Sequence, residues 1–195
     1  MNKYKHTLYI FNIMYISIDV GIKNLAYIVY DDTIVEWKVI ELCPTNASKA
    51  NIIDIGKKLY EVLEQINYDF EEAIIENQIG PNAIRMKCLQ GMITMYFIGK
   101  GVNVTYWNAA NKLKPFIQTK TTYAERKKLS IVVTRAIIDK YYNTHLDYYN
   151  SHKKKDDLAD TCMQALSFIN RVVEEPAAEV KARPRKPTEN QTRTK

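Results

Sequence analysis

Cysteine is scarce in this chain. Cys43, Cys88 and Cys162 are odd in number, widely spaced and outside every familiar zinc pattern. A disulfide-stapled scaffold is therefore not expected; a reducing compartment is, with the thiols serving as small buried hydrophobes. His6, His145 and His152 fall at no ligand spacing, and only His152 lies near other candidate residues. Glycine is sparse too, with six in 195 residues. No apolar run approaches the ~20 residues that a membrane span needs. The first thirteen residues, MNKYKHTLYIFNI, lack the pattern of a transit peptide and a convincing cleavage site. They read as an extension over 1–13, ahead of a single domain over 14–173.

Acidic residues are nearly missing from one stretch. Residues 100–130 hold seven bases against Glu125 alone, whereas 31–76 hold eleven acids against four bases. The formal net charge of +6 is concentrated beyond residue 180, where six bases stand against Glu189. The body is thus nearly neutral, with one acidic and one basic half, and a basic half suits a polyanion. Residues 174–195, rich in Pro, Lys, Arg and Thr, cannot build a core and are expected to form a basic disordered tail.

Hydrophobic residues make up 46% and charged residues 26%, the balance of a globular domain. The spacing predicts strands over Tyr15–Val20, Leu25–Tyr30 and Thr33–Leu42, with a tight turn at Asp31 and Asp32. Ser48 is the expected cap of a helix reaching about Ile66, whose apolar face is Ile52, Ile55, Leu59, Val62, Leu63 and Ile66. A short strand Ala73–Glu76 follows. Gly80 and Pro81 then break the chain before a helix from about Asn82 to Gly99, apolar at Ile84, Cys88, Met92, Met95 and Tyr96. A fifth strand, Val102–Trp107, and helices over about Tyr123–Tyr142 and Asp156–Val173 complete the order. A three-strand meander followed by alternating helices and strands implies an α/β fold, a mixed five-stranded sheet flanked by helices.

Four carboxylates stand at positions such a sheet would gather. Asp19 ends the first strand and Glu76 the fourth, while Asp157 and Asp160 are three apart on one helical face. Asp156 rivals Asp157, since helix starts favour Asp for capping and dipole reasons. Taken singly, each acid could be a turn residue or part of a solvated face; the ordered set carries the signal. Clustered carboxylates repel one another unless cations lie between them, and Mg²⁺, with Mn²⁺ able to substitute, suits such oxygen donors. Two ions roughly 3.5 to 4 Å apart would support phosphodiester hydrolysis without a covalent intermediate.

The segments YISIDVGIKNLAY, AIIENQ and KKDDLAD resemble the three acidic motifs of RuvC-like Holliday-junction resolvases, in the branch of poxviruses and other large DNA viruses. NQIGPNAIRMK is similar to that branch as well, although it reads Gln78-Ile79 where Gln-Pro is commoner and carries its Pro at 81. The resemblance spans about residues 14–170. It implies a ribonuclease H-like fold, a homodimer, and symmetric nicks across a four-way DNA junction. It also implies Asp19, Glu76, Asp157 and Asp160 as metal ligands and catalytic residues, with two ions per site. If the source is viral, it implies a cytoplasmic replication site in the host.

Phosphates would be met by basic residues. Either Lys112 or Lys114 resembles the family's lysine beyond the fifth strand, and Arg126, Lys127 and Lys128 open the next helix, where the helix N-terminus favours phosphate. Arg85 and Lys87 of the RMK segment are further expected DNA contacts. Lys153, Lys154 and Lys155 could offset the carboxylate field or simply charge a linker. No membrane and no nucleotide cofactor are expected. Asp19, Gly21 and Asn24 also fit the first phosphate loop of actin-type and sugar-kinase ATPases, but that fold is duplicated and needs a second glycine-rich loop. Another ribonuclease H-superfamily nuclease, acting on RNA–DNA hybrid or as a transposase, and a DNA-binding relative without catalysis are the remaining alternatives. Substrate geometry separates them.

Overall fold

A computed structural model describes residues 14–80, 83–116 and 122–174. The expected extension over 1–13, the expected tail over 174–195 apart from Glu174, which ends a helix, and the expected break at Pro81 lie outside these residues.

The sheet forms as the alternation of residues requires. Strands β1 (Tyr15–Val20), β2 (Asn24–Asp31), β3 (Thr33–Glu41), β4 (Glu72–Glu76) and β5 (Asn103–Trp107) lie in the order β3-β2-β1-β4-β5. The first three form the antiparallel meander, and β4 and β5 add in parallel to β1. Asp32 turns the β2–β3 hairpin with φ 52°, a left-handed conformation that Asp tolerates. After β1 the chain doubles back so tightly that a Cβ on Gly21 would sit 2.6 Å from the Asn24 carbonyl oxygen. The glycine of the Asp-x-Gly-x-x-Asn pattern therefore has a geometric cause here.

Each face of the sheet carries its own core. Ile16, Ile18 and Val20 of β1 point to one side with Leu25, Tyr27 and Val29 of β2 and Ala73 and Ile75 of β4. Helices α1 (Ile52–Gln65) and α2 (Ile84–Gly99) cover that side through Ile55, Leu59, Val62 and Leu63, and through Leu89, Ile93 and Phe97. Each such side chain, fully buried, is worth roughly 1.5–3 kcal/mol. On the other side Ile28, Ile34 and Trp37 meet α3 (Tyr123–Tyr141), α4 (Leu146–Ser151) and α5 (Lys155–Glu174). Among the described residues no helix is long and apolar enough to cross a membrane.

Several sequence expectations are corrected. The cap of α1 is Asn51, whose side chain accepts the Ile53 N–H at 2.8 Å; Ser48 instead donates to Asn46 within the preceding loop. The face of α2 turned to the core is Leu89, Gln90, Ile93 and Phe97, while Ile84, Cys88 and Met95 are exposed. This helix is apolar nearly all round, so periodicity alone could not tell its inner side from its outer. Helix α4 has too few residues for a periodic signal. It is held by Tyr149, which is fully buried and stacked on Trp37 with ring centroids 5.5 Å apart.

Candidate active site

Sheet register brings the first two carboxylates together. In the parallel pairing of β1 with β4, Ile18 lies opposite Ile75, so the next residues on the two strands are Asp19 and Glu76. Side chains alternate between faces, and because Ile18 and Ile75 enter the α1–α2 core, Asp19 and Glu76 turn to the α5 side. There α5 crosses the sheet and delivers Asp160 and Asp157 to the same cleft. That cleft, about 510 Å³, is lined by all four predicted carboxylates together with Lys112, Arg126, Lys127 and Ser130.

Of the two lysines after β5, Lys112 is the one brought to the carboxylates. A short 3-10 turn, Ala109–Asn111, follows β5 and drops Lys112 under the strand ends. It is 3% exposed, and its Nζ stands 3.1 Å from Glu76 Oε1. Lys114 is exposed and lies outside the cleft. Burial opposes charge on Lys112, but Asp19, Asp160 and Glu76 outweigh it and hold the ammonium protonated.

The carboxylates feel burial and one another. Asp19 is raised well above the usual carboxylate range by burial, against the pull of Lys112 and with Glu76 adding to the rise. Burial also works to raise Glu76, but a hydrogen bond from Asp19 and the Lys112 ammonium leave it lowered. The two neighbours are thus pushed to opposite sides of the usual carboxylate range, as happens when negative charge is crowded into a confined space. Asp160 is raised by burial and by Glu76, against Lys112 and a hydrogen bond from Ser130 Oγ to its Oδ1 at 3.2 Å. Asp157 is raised by burial and then by Asp156.

The start of α3 closes the cleft. Thr122 caps the helix by accepting the Glu125 N–H, and Glu125 reaches back to the Thr122 N–H at 2.7 Å. The first turns then present Arg126, Lys127 and Ser130 to the carboxylates. Lys127 pairs with Asp156 at 3.1 Å, which separates the rival acids: Asp156 ties α5 to α3, while Asp157 faces the cleft. Ser130 was not anticipated. Its signal was its place one helical turn beyond Arg126 and Lys127.

Other expected residues stand elsewhere. Lys128 is exposed and outside the cleft lining. Arg85 does not face the cleft: its guanidinium donates to the Ala47 and Ala50 carbonyls and clamps the loop before α1 onto α2. Lys87 lines a shallow neighbouring hollow with Gln78 and Tyr106. His152 accepts the Lys154 N–H through Nδ1, and Lys155 Nζ donates to its carbonyl, so both serve the turn before α5.

The donors fit a hard divalent cation in kind. They are carboxylate oxygens only, in excess over the single buried ammonium. Glu76 is paired with Lys112, and no three His, Cys, Asp or Glu side chains among the described residues form a ready-made metal cage.

Strand order, helical layers and acidic strand ends define a ribonuclease H-like fold with a carboxylate-lined cleft. The sequence profile of the Poxvirus A22 protein family matches residues 13–172, and the chain belongs to that family. It is 28% identical over 157 residues to a Holliday junction resolvase of Fowlpox virus (strain NVSL), covering 78% of this chain and 90% of that one. It is 29% identical over 129 residues to an uncharacterized protein, 97L, of Invertebrate iridescent virus 3; the match covers 60% of this chain and 59% of that relative's length. Among solved structures, Fowlpox virus resolvase crystallised with Holliday junction DNA superposes with a TM-score of 0.62 at 22% identity, covering 83% of this chain and 99% of that one. RuvC of Thermus thermophilus gives a TM-score of 0.55 at 15% identity, covering 82% and 96%. At these identities the structural matches establish the fold.

Proposed function

We propose that the protein is a Holliday-junction resolvase, a metal-dependent endonuclease that nicks four-way DNA junctions as a homodimer. One observation carries the reading: Asp19, Glu76, Asp157 and Asp160 line a single cleft with a buried lysine at its floor and a basic helix start at its rim. Membership of the Poxvirus A22 family and similarity to the fowlpox resolvase support the choice of junction DNA over other polyanions.

The four carboxylates would hold divalent ions, Mg²⁺ or Mn²⁺, which when bound supply an activated water and charge stabilisation at the leaving oxygen. The chain's own groups do the rest. Lys112 holds negative charge at the ends of β1 and β4, so that Asp19 and Glu76 can lie side by side. Ser130 orients Asp160 by hydrogen bonding to it. Arg126 and Lys127, on the first turns of α3, place positive charge and a helix N-terminus where a phosphate backbone would enter. The dimer is suggested by the outer side of α2, where Ile84, Met95 and Ile98 are exposed.

The test is incubation with a labelled synthetic four-way junction, a linear duplex and an RNA–DNA hybrid, each in Mg²⁺ or Mn²⁺, beside the Asp157→Asn variant. Symmetric nicks confined to the junction, lost in EDTA and in the variant, are expected. Cleavage of the hybrid instead would reassign the protein within the superfamily, and binding without cleavage in either metal would refute an enzymatic role.

A further inference from the structure

Behind the carboxylates lies a buried polar layer that a packing argument does not require. The side of α5 pressed on the sheet carries Thr161, Gln164 and Ser167, each at most 2% exposed, in a core built mainly of apolar side chains. Each joins a strand. Trp37 Nε1 of β3 donates to Thr161 Oγ1 at 3.0 Å, and Ser17 Oγ of β1 donates to the Thr161 carbonyl at 3.0 Å. Trp107 Nε1 of β5 donates to Ser167 Oγ at 2.8 Å.

Gln164 occupies the centre of this row. It is fully buried, and its Nε2 donates to two carbonyls at once: Ile18 O on β1 at 3.1 Å and Ile74 O on β4 at 3.0 Å. Ile18 immediately precedes Asp19, and Ile74 lies two residues before Glu76. Gln164 is also one helical turn beyond Asp160 and two beyond Asp157, on the same side of α5. The amide orientation follows from its neighbours, because the reverse would set Oε1 against two carbonyl oxygens. In this orientation Oε1 has no hydrogen-bond partner. A buried, half-satisfied amide is unfavourable as packing compared with an apolar side chain of equal volume.

We propose that Gln164 is a positioning residue of the active site: by bridging β1 and β4 from α5, it fixes the Asp157–Asp160 helix against the strands of Asp19 and Glu76. A directional strut does what apolar contacts cannot. Methyl groups tolerate a slide of the helix, but two hydrogen bonds of about 3 Å to adjacent strands lose strength within a fraction of an ångström. The inference rests on the proposed metal-dependent resolvase reading.

The experiment uses the full chain. Gln164→Met keeps length and volume but removes the donors, and Ser17→Ala removes only the neighbouring hydroxyl strut. Leu63→Ala, in the core on the opposite face, supplies a variant destabilised without touching the strut. Mn²⁺ binding is measured without DNA from the electron paramagnetic resonance signal of the free ion. Junction binding is measured in EDTA, and single-turnover cleavage at saturating junction. We expect Gln164→Met to weaken Mn²⁺ binding and slow cleavage by about ten-fold or more, with junction affinity within about two-fold of the parent. Ser17→Ala should show the same pattern in smaller measure, and Leu63→Ala should keep Mn²⁺ affinity despite a lower melting temperature. Unchanged Mn²⁺ affinity in Gln164→Met and Ser17→Ala, or losses in Leu63→Ala that match those of Gln164→Met, would overturn the proposal. If the parent binds Mn²⁺ but leaves the junction uncut, the resolvase reading fails while the Mn²⁺ comparison still decides the role of Gln164.

Discussion

A single side chain separates the two lysines that follow β5. Lys112 is enclosed by Asp19, Glu76 and Asp160, whereas Lys114, two residues on, is in solvent. Fixed charge placed at reacting groups in a water-poor site is worth far more than the same charge at the surface. Lys112→Ala should therefore lower single-turnover junction cleavage by on the order of a hundred-fold, and Lys114→Ala by no more than a few-fold. Equal losses would return the choice to the ambiguity of the sequence. The cysteines differ in the same way. Burial pushes the Cys162 thiol up to about 12, and since only the thiolate is nucleophilic it should resist iodoacetamide at pH 8 until the chain is unfolded. Cys88, exposed on α2, should be alkylated first, as peptide mass mapping would report.

Among the elements, α3 matters through its beginning. The capping box at Thr122 and Glu125 fixes the turn that carries Arg126 and Lys127, so Thr122→Ala should reduce stability by ~1 kcal/mol in urea unfolding. Glu125 lies below the usual carboxylate range because the Thr122 backbone N–H and then its hydroxyl donate to it. Its folded pKa is depressed, so its stabilisation is complete above the unfolded value of ~4.3 and vanishes as pH falls through the folded one. Glu125→Gln should accordingly destabilise at neutral pH and become neutral in acid. These contrasts show which elements were legible beforehand. The five strands were readable because alternation, β-branching and turn residues agree, and they fixed Asp19 and Glu76 as strand-end residues. Asp157 and Asp160 were readable from helical spacing. The inner side of α2 was not, because its composition is apolar all round. The roles of Arg85, Ser130 and Gln164 were hidden for another reason: each depends on a partner far away in sequence, Gln164 bonding across 146 and 90 residues.

At the scale of the whole molecule, the proposed homodimer would rest on the outer side of α2. Ile84 is 68% and Met95 65% exposed, Ile98 lies nearby, and added Cβ atoms at Gly91 and Gly99 would meet nothing within 4 Å. Across the seam with α1, Ile53 and Tyr60 extend the same apolar surface around a hollow of about 360 Å³. A two-fold pairing of this surface would place each residue opposite an equivalent patch, so one substitution changes the interface twice. Met95→Glu would set two carboxylates into an apolar contact and should yield a folded monomer in light scattering, because Met95 contributes little to the core of its own chain. The consequence for chemistry distinguishes this pairing from incidental stickiness. Two cuts made in one encounter turn a supercoiled plasmid bearing an extruded four-way junction into linear DNA, whereas independent cuts release the junction after the first nick. The parent protein should give linear product, and Met95→Glu should give nicked circles, with its intrinsic Mn²⁺ binding preserved. A parent that is monomeric at micromolar concentration, or a monomeric variant that still linearises the plasmid, would remove the dimer from the proposed function and leave each cleft to act alone.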